Sequence, residues 1–230
     1  RGYPHVGSDA LTDTRYVGYR RKLIEDIRAR GVDDLEVLQL FDRVPRHIFL
    51  PEGVRPRAYE DSSIPIGFGQ TASQPSLQAH YLTILRPTTD DKVLEIGTGC
   101  GYLTALLCLM ADRVYSVERV RELSQRSRKA LDSFGVKNTA LLVGDGTIGW
   151  RKYAPFDVIV VSAASPSVPQ ALVDQLADGG RMIIPVGARD TQELVLVKKS
   201  GFAVTEEKVE GKVTFVPLLG RFAWKDEAGG

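Results

Sequence analysis

From residue 92 onward, short apolar runs alternate with amphipathic stretches in a regular rhythm. "KVLEI" (92–96), "RVYSV" (113–117), "TALLV" (139–143), "FDVIVVS" (156–162) and "RMIIPV" (181–186) are short apolar runs bounded by polar or turn-forming residues, and they predict buried β-strands. Between them, residues 101–111, 119–134 and 168–177 carry helical spacing. Strands alternating with helices in this way imply right-handed crossovers and a parallel sheet covered on both faces. Past Val186 the alternation stops. "ELVLVKK", "FAVTEEKV" and "KVTFVPL" follow one another across Gly-containing turns and predict antiparallel strands at the sheet edge. The expected fold class is α/β, a doubly wound, mostly parallel sheet with N-terminal helices and antiparallel C-terminal edge strands.

Upstream, Val17, Leu23, Ile24 and Ile27 recur near helical spacing between Tyr16 and Arg30, and Gly31 supplies a stop. A second helix is expected over about 33–42, turning Val37, Leu38, Leu40 and Phe41 inward, with Pro45 ending it. Residues 45–75 are rich in Pro and Gly without a sustained period, which makes them a long irregular stretch; such loops in compact domains are usually functional or disordered. Within it, "IPIGFGQTASQPS" (64–76) concentrates hydroxyl and amide side chains. Residues 1–14 are polar, Gly-containing and expected to be poorly ordered. The organisation expected is one compact unit, with helices and a covering loop over 1–90 packed on a core of 91–230.

Composition narrows the partners. With 30 basic and 29 acidic residues and no long run of either sign, the chain has no strong draw toward nucleic acid or membrane, and a small molecule or neutral peptide is the expected partner. The only cysteines, Cys100 and Cys108, lie in one apolar stretch and read as reduced thiols of a cytoplasmic protein rather than a disulfide framework. The longest clean apolar run, "ALLCLMA" (105–111), falls far short of the ~20 residues that span a bilayer. No basic start leads into an apolar core, and a chain opening on Arg1 leaves its native start open. His5, His47 and His80 are each more than four residues from another His or a Cys, so no metal site is expected. A monomer is the expected state.

The strongest chemical signal is "VLEIGTGCGYLTA" (93–105), a strand entering a Gly-rich turn and then a helix. Gly97, Gly99 and Gly101 permit close backbone approach and point amides at whatever lies over the strand's carboxyl end. Tyr102 stands where a dinucleotide fingerprint needs its third glycine, which tilts the reading away from NAD. Glu118, at the end of the second strand, is placed to accept from both hydroxyls of a ribose, or else to cap the next helix. Asp145 and Gly146, in "VGDGT", offer an acceptor for an exocyclic adenine amine and a backbone amide, or form a plain turn. Together these features occupy the carboxyl ends of three successive strands, where open α/β sheets bind ligands.

That combination resembles the Rossmann-like fold of class I S-adenosylmethionine-dependent methyltransferases. Nearly the whole chain resembles one family within it, protein-L-isoaspartate O-methyltransferase. The match is carried by "ARG" (29–31), "VPRHIFLP" (44–51), "AYEDSSIPIGFGQTASQP" (58–75), "VLEIGTGCGY" (93–102), "VGDGTIGW" (143–150), "APFDVIVVSAA" (154–164), "VPQALVDQL" (168–176), "GGRMIIPVG" (179–187) and "FVPLLGRFAW" (215–224). The resemblance implies transfer of a methyl group from S-adenosyl-L-methionine to the free α-carboxylate of an L-isoaspartyl residue in damaged proteins or peptides, a repair reaction that leaves S-adenosyl-L-homocysteine. A carboxylate with an ordinary pKa of about 3.9 is ionised at neutral pH, so such a reaction needs no general base.

By the same resemblance, Ser73 matches the catalytic serine, which would orient the acceptor carboxylate. Gln70, Thr71, Gln74, Glu95, Gly97, Thr98, Gly99, Gly101, Glu118, Arg119, Asp145 and Gly146 match cofactor-binding positions, and Ala58, Ile66, Ala72, Ser76 and Val213 substrate-binding ones. Asp61 is expected to fix the loop, His47 to be a packed histidine, and Trp150 and Trp224 to be core or rim aromatics. The chain departs from the family pattern at Ser76, where His or Tyr is common, and at Ala72, where a bulky aliphatic is usual. Those departures leave open methylation of an aspartate in a ribosomal peptide natural product; a cofactor-binding adaptor without turnover is a further alternative, and an NAD-dependent oxidoreductase a remote one.

Overall fold

The computed structural model describes residues 13–225. Most of the disorder expected for residues 1–14, and His5 with it, lies outside the described residues. Residues 13 and 14 are not loose, because the Asp13 carboxylate accepts from Arg15 N and starts helix α1, Thr14–Ala29. Helix α2, Leu35–Arg43, is capped by Asp34, whose carboxylate accepts from Glu36 N and Val37 N. The Pro-rich stretch that follows is more ordered than its composition implies. It forms two 3-10 turns, Arg46–Phe49 and Glu52–Arg57, and a hairpin of β1, Ile64–Gly67, and β2, Gln70–Ala72. Helix α3, Pro75–Leu85, had no counterpart in the sequence pattern. Its residues at 75, 76, 78, 79, 81, 82 and 85 are all buried, so it lacks the polar face that reveals a helix by periodicity.

The central sheet has seven strands: β3, Lys92–Ile96; β4, Arg113–Glu118; β5, Thr139–Val143; β6, Phe156–Val161; β7, Leu176–Gly187; β8, Gln192–Ser200; and β9, Ala203–Val213. Their spatial order is β5-β4-β3-β6-β7-β8-β9. Pairing is parallel from β5 through β7 and antiparallel for β7–β8 and β8–β9. The chain order reverses between β3 and β6, and a crevice opens there outside the strands' carboxyl ends.

Helices α4, Tyr102–Met110, and α5, Arg121–Phe134, pack on one face with α1 to α3, around Leu23, Phe41, Leu82, Leu106 and Phe134. The other face is covered by Leu172, Val173, Leu176 and Leu218 over Leu94, Ile159 and Ile184.

Two expectations are corrected at the C-terminal half. The helix expected over 168–177 is a single turn, α6, Gln170–Val173, and β7 has begun by Leu176. Pro169 opens that turn, and Phe156 N donates to Gln175 O, drawing the chain into the sheet at once. "FAVTEEKV" and "KVTFVPL" are not two strands either: β9 runs unbroken through Gly211, with a register shift opposite Glu193 and Leu194. Gly211 reads as a turn in the sequence but sits in a bulged strand. Residues 214–224 then form an irregular strap, bridged to the sheet at Ala164↔Pro217 and to itself at Leu219↔Trp224.

Candidate active site

The glycine turn follows β3 directly. Gly97 has φ 95°, a left-handed conformation in which a side chain would be strained, and a Cβ there would stand in van der Waals contact, 3.6 Å, with Ser162 Cβ just past β6. Gly101, φ 87°, begins α4, and a Cβ there would meet Ser127 Cβ at 3.1 Å, so its absence lets α4 nest against α5. Over this turn lies an open cavity. Its floor is Gly97, Thr98, Gly99 and Cys100; one side is Glu118, Arg119 and Gly146. The roof is built from two separate pieces of chain, Gln70 to Ser73 of the hairpin and Val216 to Leu219 of the strap.

Glu118 is fixed from two directions: its Oε2 accepts from Gly99 N at 2.9 Å and its Oε1 from Val120 N at 2.9 Å. The helix after β4 has no side-chain cap, so Glu118 does not cap it in the expected way; it accepts from the N–H of the residue that opens that helix and lines the cavity. It ties the glycine turn to the end of β4 and keeps its carboxylate on the cavity wall.

Ser73 is held by its backbone. Its carbonyl accepts from Arg46 Nη2 at 3.0 Å, while Arg46 Nη1 donates to Ala58 O and Glu60 O. The Arg46 guanidinium is fully buried above the Tyr102 ring and gathers three segments of the loop into one frame. Asp61 completes it, accepting from Gln74 Nε2 at 3.0 Å and from Ser76 N at 2.8 Å, so that it caps α3. The hairpin tip is secured from α5: Arg126 Nη1 donates to Ile66 O at 3.3 Å and its guanidinium lies 5.1 Å from the Phe68 ring centre.

Several residues matched to site positions do not line the cavity. Glu95 is wholly buried behind the glycine turn, where its Oε2 accepts from Thr104 Oγ1 at 2.6 Å and Ser116 Oγ at 2.7 Å. Burial pushes its carboxyl up to about 7, against the pull of those two hydroxyls. It reaches the cavity only in relay, through Ser116 to Thr98. Asp145 is likewise drawn aside: Oδ1 accepts from Thr147 N and Thr147 Oγ1, and Oδ2 from Arg221 N at 2.8 Å, which pins the strap. The Gln74 amide is spent on Asp61, and Gly101 is a helix cap.

Among the positions matched to substrate, Ala72 lines the cavity. Ala58 is buried beneath the Arg46 frame, Ser76 lies in the first turn of α3, and Val213 ends β9 opposite Gln192. Ile66 faces an adjoining hollow, lined also by Arg55, Arg126 and Lys129, that meets the first cavity at Gly99 and Cys100.

Sequence reasoning missed Gln78, Tyr102 as a wall residue and the strap residues Val216 to Leu219. Gln78 was invisible because α3 was. The strap carried a signal in "FVPLLGRFAW", but nothing local says that it crosses the sheet's carboxyl edge. His47 is packed as expected, Nδ1 2.8 Å from the Tyr59 hydroxyl and its ring stacked on Tyr16. Trp150 is partly buried and meets Tyr115 and Tyr153 edge-on at the rim of the core. Among the described residues no three His, Cys, Asp or Glu gather as a metal site, and no helix is long and apolar enough to cross a membrane.

The model of the family described as protein-L-isoaspartate(D-aspartate) O-methyltransferase matches residues 19–223. The chain belongs to this family. A protein-L-isoaspartate O-methyltransferase 2 of Geotalea uraniireducens is 50% identical over 210 residues, covering 90% of this chain and 96% of that protein. A solved protein-L-isoaspartate O-methyltransferase superposes with TM-score 0.80 at 29% identity, covering 89% of this chain and 67% of that one. A candidate member of the isoaspartyl methyltransferase family from Plasmodium falciparum, in complex with S-adenosyl-L-homocysteine, gives TM-score 0.78 at 25% identity, with 87% and 98% covered. The glycine turn, the hairpin that carries "GQTASQP" and the strap are the pieces of this chain that enclose the cavity.

Proposed function

We propose that the chain methylates the free α-carboxylate of L-isoaspartyl residues in damaged proteins and peptides, with S-adenosyl-L-methionine as methyl donor. The single observation that carries this is one cavity walled by the glycine turn, Glu118 and Ser73, in a chain of this family. The residues present fit the cofactor: a turn at Gly97 stripped of side chain, a fixed carboxylate at the end of β4, and a roof of hydroxyl and amide groups. When bound, S-adenosyl-L-methionine supplies a sulfonium methyl group to a carboxylate oxygen, the electron pair of the broken C–S bond staying on sulfur as S-adenosyl-L-homocysteine forms.

The rest of the work belongs to the protein. Glu118 takes the ribose hydroxyls, with Arg119 beside it, and Gly146 flanks the base, while Asp145 acts on that end through the strap. Gly97, Thr98 and Gly99 support the methionine part, with Gln70 and Thr71 above it. The Ser73 hydroxyl donates to one oxygen of the acceptor carboxylate and leaves the other in line; orientation of this kind supplies several kcal/mol. No proton has to be removed, so the reaction needs no general base. The strap and hairpin exclude water from an anion meeting a cation. Segments up to residue 90, together with the strap over 214–224, act as the cover and the remainder as the core, in a monomeric cytoplasmic enzyme without a nucleic-acid partner.

Replacing Ser73 by Ala tests this against an adaptor without turnover. The expected result is a tenfold to hundredfold fall in kcat/KM, about the worth of one hydrogen bond to a charged group, with S-adenosyl-L-homocysteine affinity kept. Cofactor binding with no methyl transfer in the wild type would favour the adaptor.

A further inference from the structure

Among the described residues two cations are buried, Arg20 and Arg46. Arg20 has its counter-ion, with Nε 2.9 Å from the Asp42 carboxylate. Arg46, 0% exposed, has none. Its guanidinium donates only to backbone carbonyls, those of Ala58, Glu60, Ser62 and Ser73, and no carboxylate of the described residues comes within 4.0 Å of it. The carboxylates of the same loop are engaged elsewhere: Glu60 accepts from Arg57, and Asp61 accepts from Gln74 Nε2 and Ser76 N, with Arg30 Nε 3.6 Å away. A buried charge without a partner is costly, and a guanidinium cannot escape that cost by losing its proton. This one stands directly behind two wall residues of the cavity. Its Nη2 is 3.0 Å from Ser73 O, and its central carbon lies 5.8 Å from the Tyr102 ring centre. An uncompensated cation behind the Ser73 wall calls for an anion in front of it.

We propose that Arg46 determines the charge of the acceptor, its guanidinium drawing a carboxylate to Ser73 in preference to a neutral group of the same shape. This rests on the acceptor assigned above. Arg46 touches neither substrate nor cofactor; it acts across the wall, where a charge is less screened than in water. Ser73 discriminates less, because its hydroxyl can donate to a carboxylate oxygen and to a carboxamide oxygen alike. The two residues divide the work: Ser73 aims one oxygen, and Arg46 supplies the field that favours an anion. Methylation neutralises the acceptor, so the attraction that gathers the substrate does not hold the ester.

The test uses the full chain loaded with S-adenosyl-L-homocysteine, which carries no sulfonium charge of its own to attract an anion. Two peptides are compared: an L-isoaspartyl peptide, and its analogue with a carboxamide in place of the free α-carboxylate. Calorimetry at neutral pH gives the ratio of their affinities. Ser73→Ala is expected to keep a preference of about tenfold for the carboxylate, and Ser73→Ala/Arg46→Met to lose it, with S-adenosyl-L-homocysteine affinity unchanged within about twofold. Ser73→Ala/Arg46→Lys, which keeps the charge, is expected to restore most of that preference. A residue that only positioned Ser73 would have no further effect once the hydroxyl is gone, so equal ratios in Ser73→Ala and Ser73→Ala/Arg46→Met overturn the proposal. So does a preference that Lys fails to restore. Should the Met variant not fold, Ser73→Ala alone decides: equal affinity for the two peptides overturns the proposal. Isoaspartyl methylation by the wild type without this dependence on position 46 removes Arg46's role alone, whereas wild-type protein that neither binds nor methylates the isoaspartyl peptide removes the functional reading beneath it.

Discussion

Glu95 and Glu118 look alike in the sequence, each an acidic residue near a strand end beside the glycine motif, yet they do different work. Glu95 pairs with Ser116, two residues before Glu118, so both carboxylates leave the same face of the sheet; what separates them is that Glu118 stands at the carboxyl end of its strand while Glu95 lies inside β3, and a carboxylate's chemistry does not announce which it is. Glu118 lines the cavity; Glu95 is fully buried with Thr104 and Ser116. Ser73, Ala72, Gln70 and Thr71 were legible, because the dense polar block that contains them does form the roof. Glu95 carries a pH signature. Its folded-state pKa of about 7 lies above the ordinary glutamate value of 4.5, so the fold binds its proton more tightly than the unfolded chain does. Stability from this group is present below pH ~4.5 and is lost as pH rises toward ~7. Glu95→Gln removes that dependence. Relative to wild type, the variant is expected to gain on the order of 2 kcal/mol between pH 5 and pH 8, read from urea unfolding at each pH.

At the scale of elements, the five parallel strands lay close to where the apolar runs put them, since parallel strands are written as short continuous hydrophobic blocks, except that β7 begins at Leu176, five residues before its run. Helix α3 and the strap were not legible for opposite reasons: α3 is buried nearly all round and shows no period, while the strap gets its shape from distant partners. Those partners are specific. Asp145 Oδ2 takes Arg221 N, Thr147 Oγ1 takes Phe222 N at 3.2 Å, and Leu218 N reaches Ala164 O at 2.7 Å. Gly220 leaves room for the Asp145 carboxylate, into which a Cβ at that position would run. Asp145 therefore acts on the cavity by holding its cover. Asp145→Asn turns an acceptor into a donor opposite Arg221 N in one amide orientation and loses charge in the other. Amide exchange at Arg221 and Phe222 is expected to quicken by about tenfold, while exchange in β3 and β4 stays unchanged. Strap protection equal to wild type would mean that Asp145 is not its anchor.

The whole molecule brings four distant stretches to one edge of a sheet: the hairpin near residue 70, the turn at 97–101, the β4 end at 118 and the strap at 216–219. The order β5-β4-β3-β6-β7 makes this possible, since reversal of direction between β3 and β6 opens the crevice into which all four project. The alternation of strands and helices made that topology legible, and with it the place of the site. The enclosure was not legible, because it depends on which loops fold back over the carboxyl edge. The central claim is that this enclosure selects the isoaspartyl carboxylate. Its most direct measurement is methyl transfer from labelled S-adenosyl-L-methionine to paired peptides of one sequence, with L-isoaspartate in one and L-aspartate in the other. The account predicts label in the isoaspartyl member, favoured in kcat/KM by at least about a hundredfold. Equal labelling of the two peptides, or none in either, would contradict it.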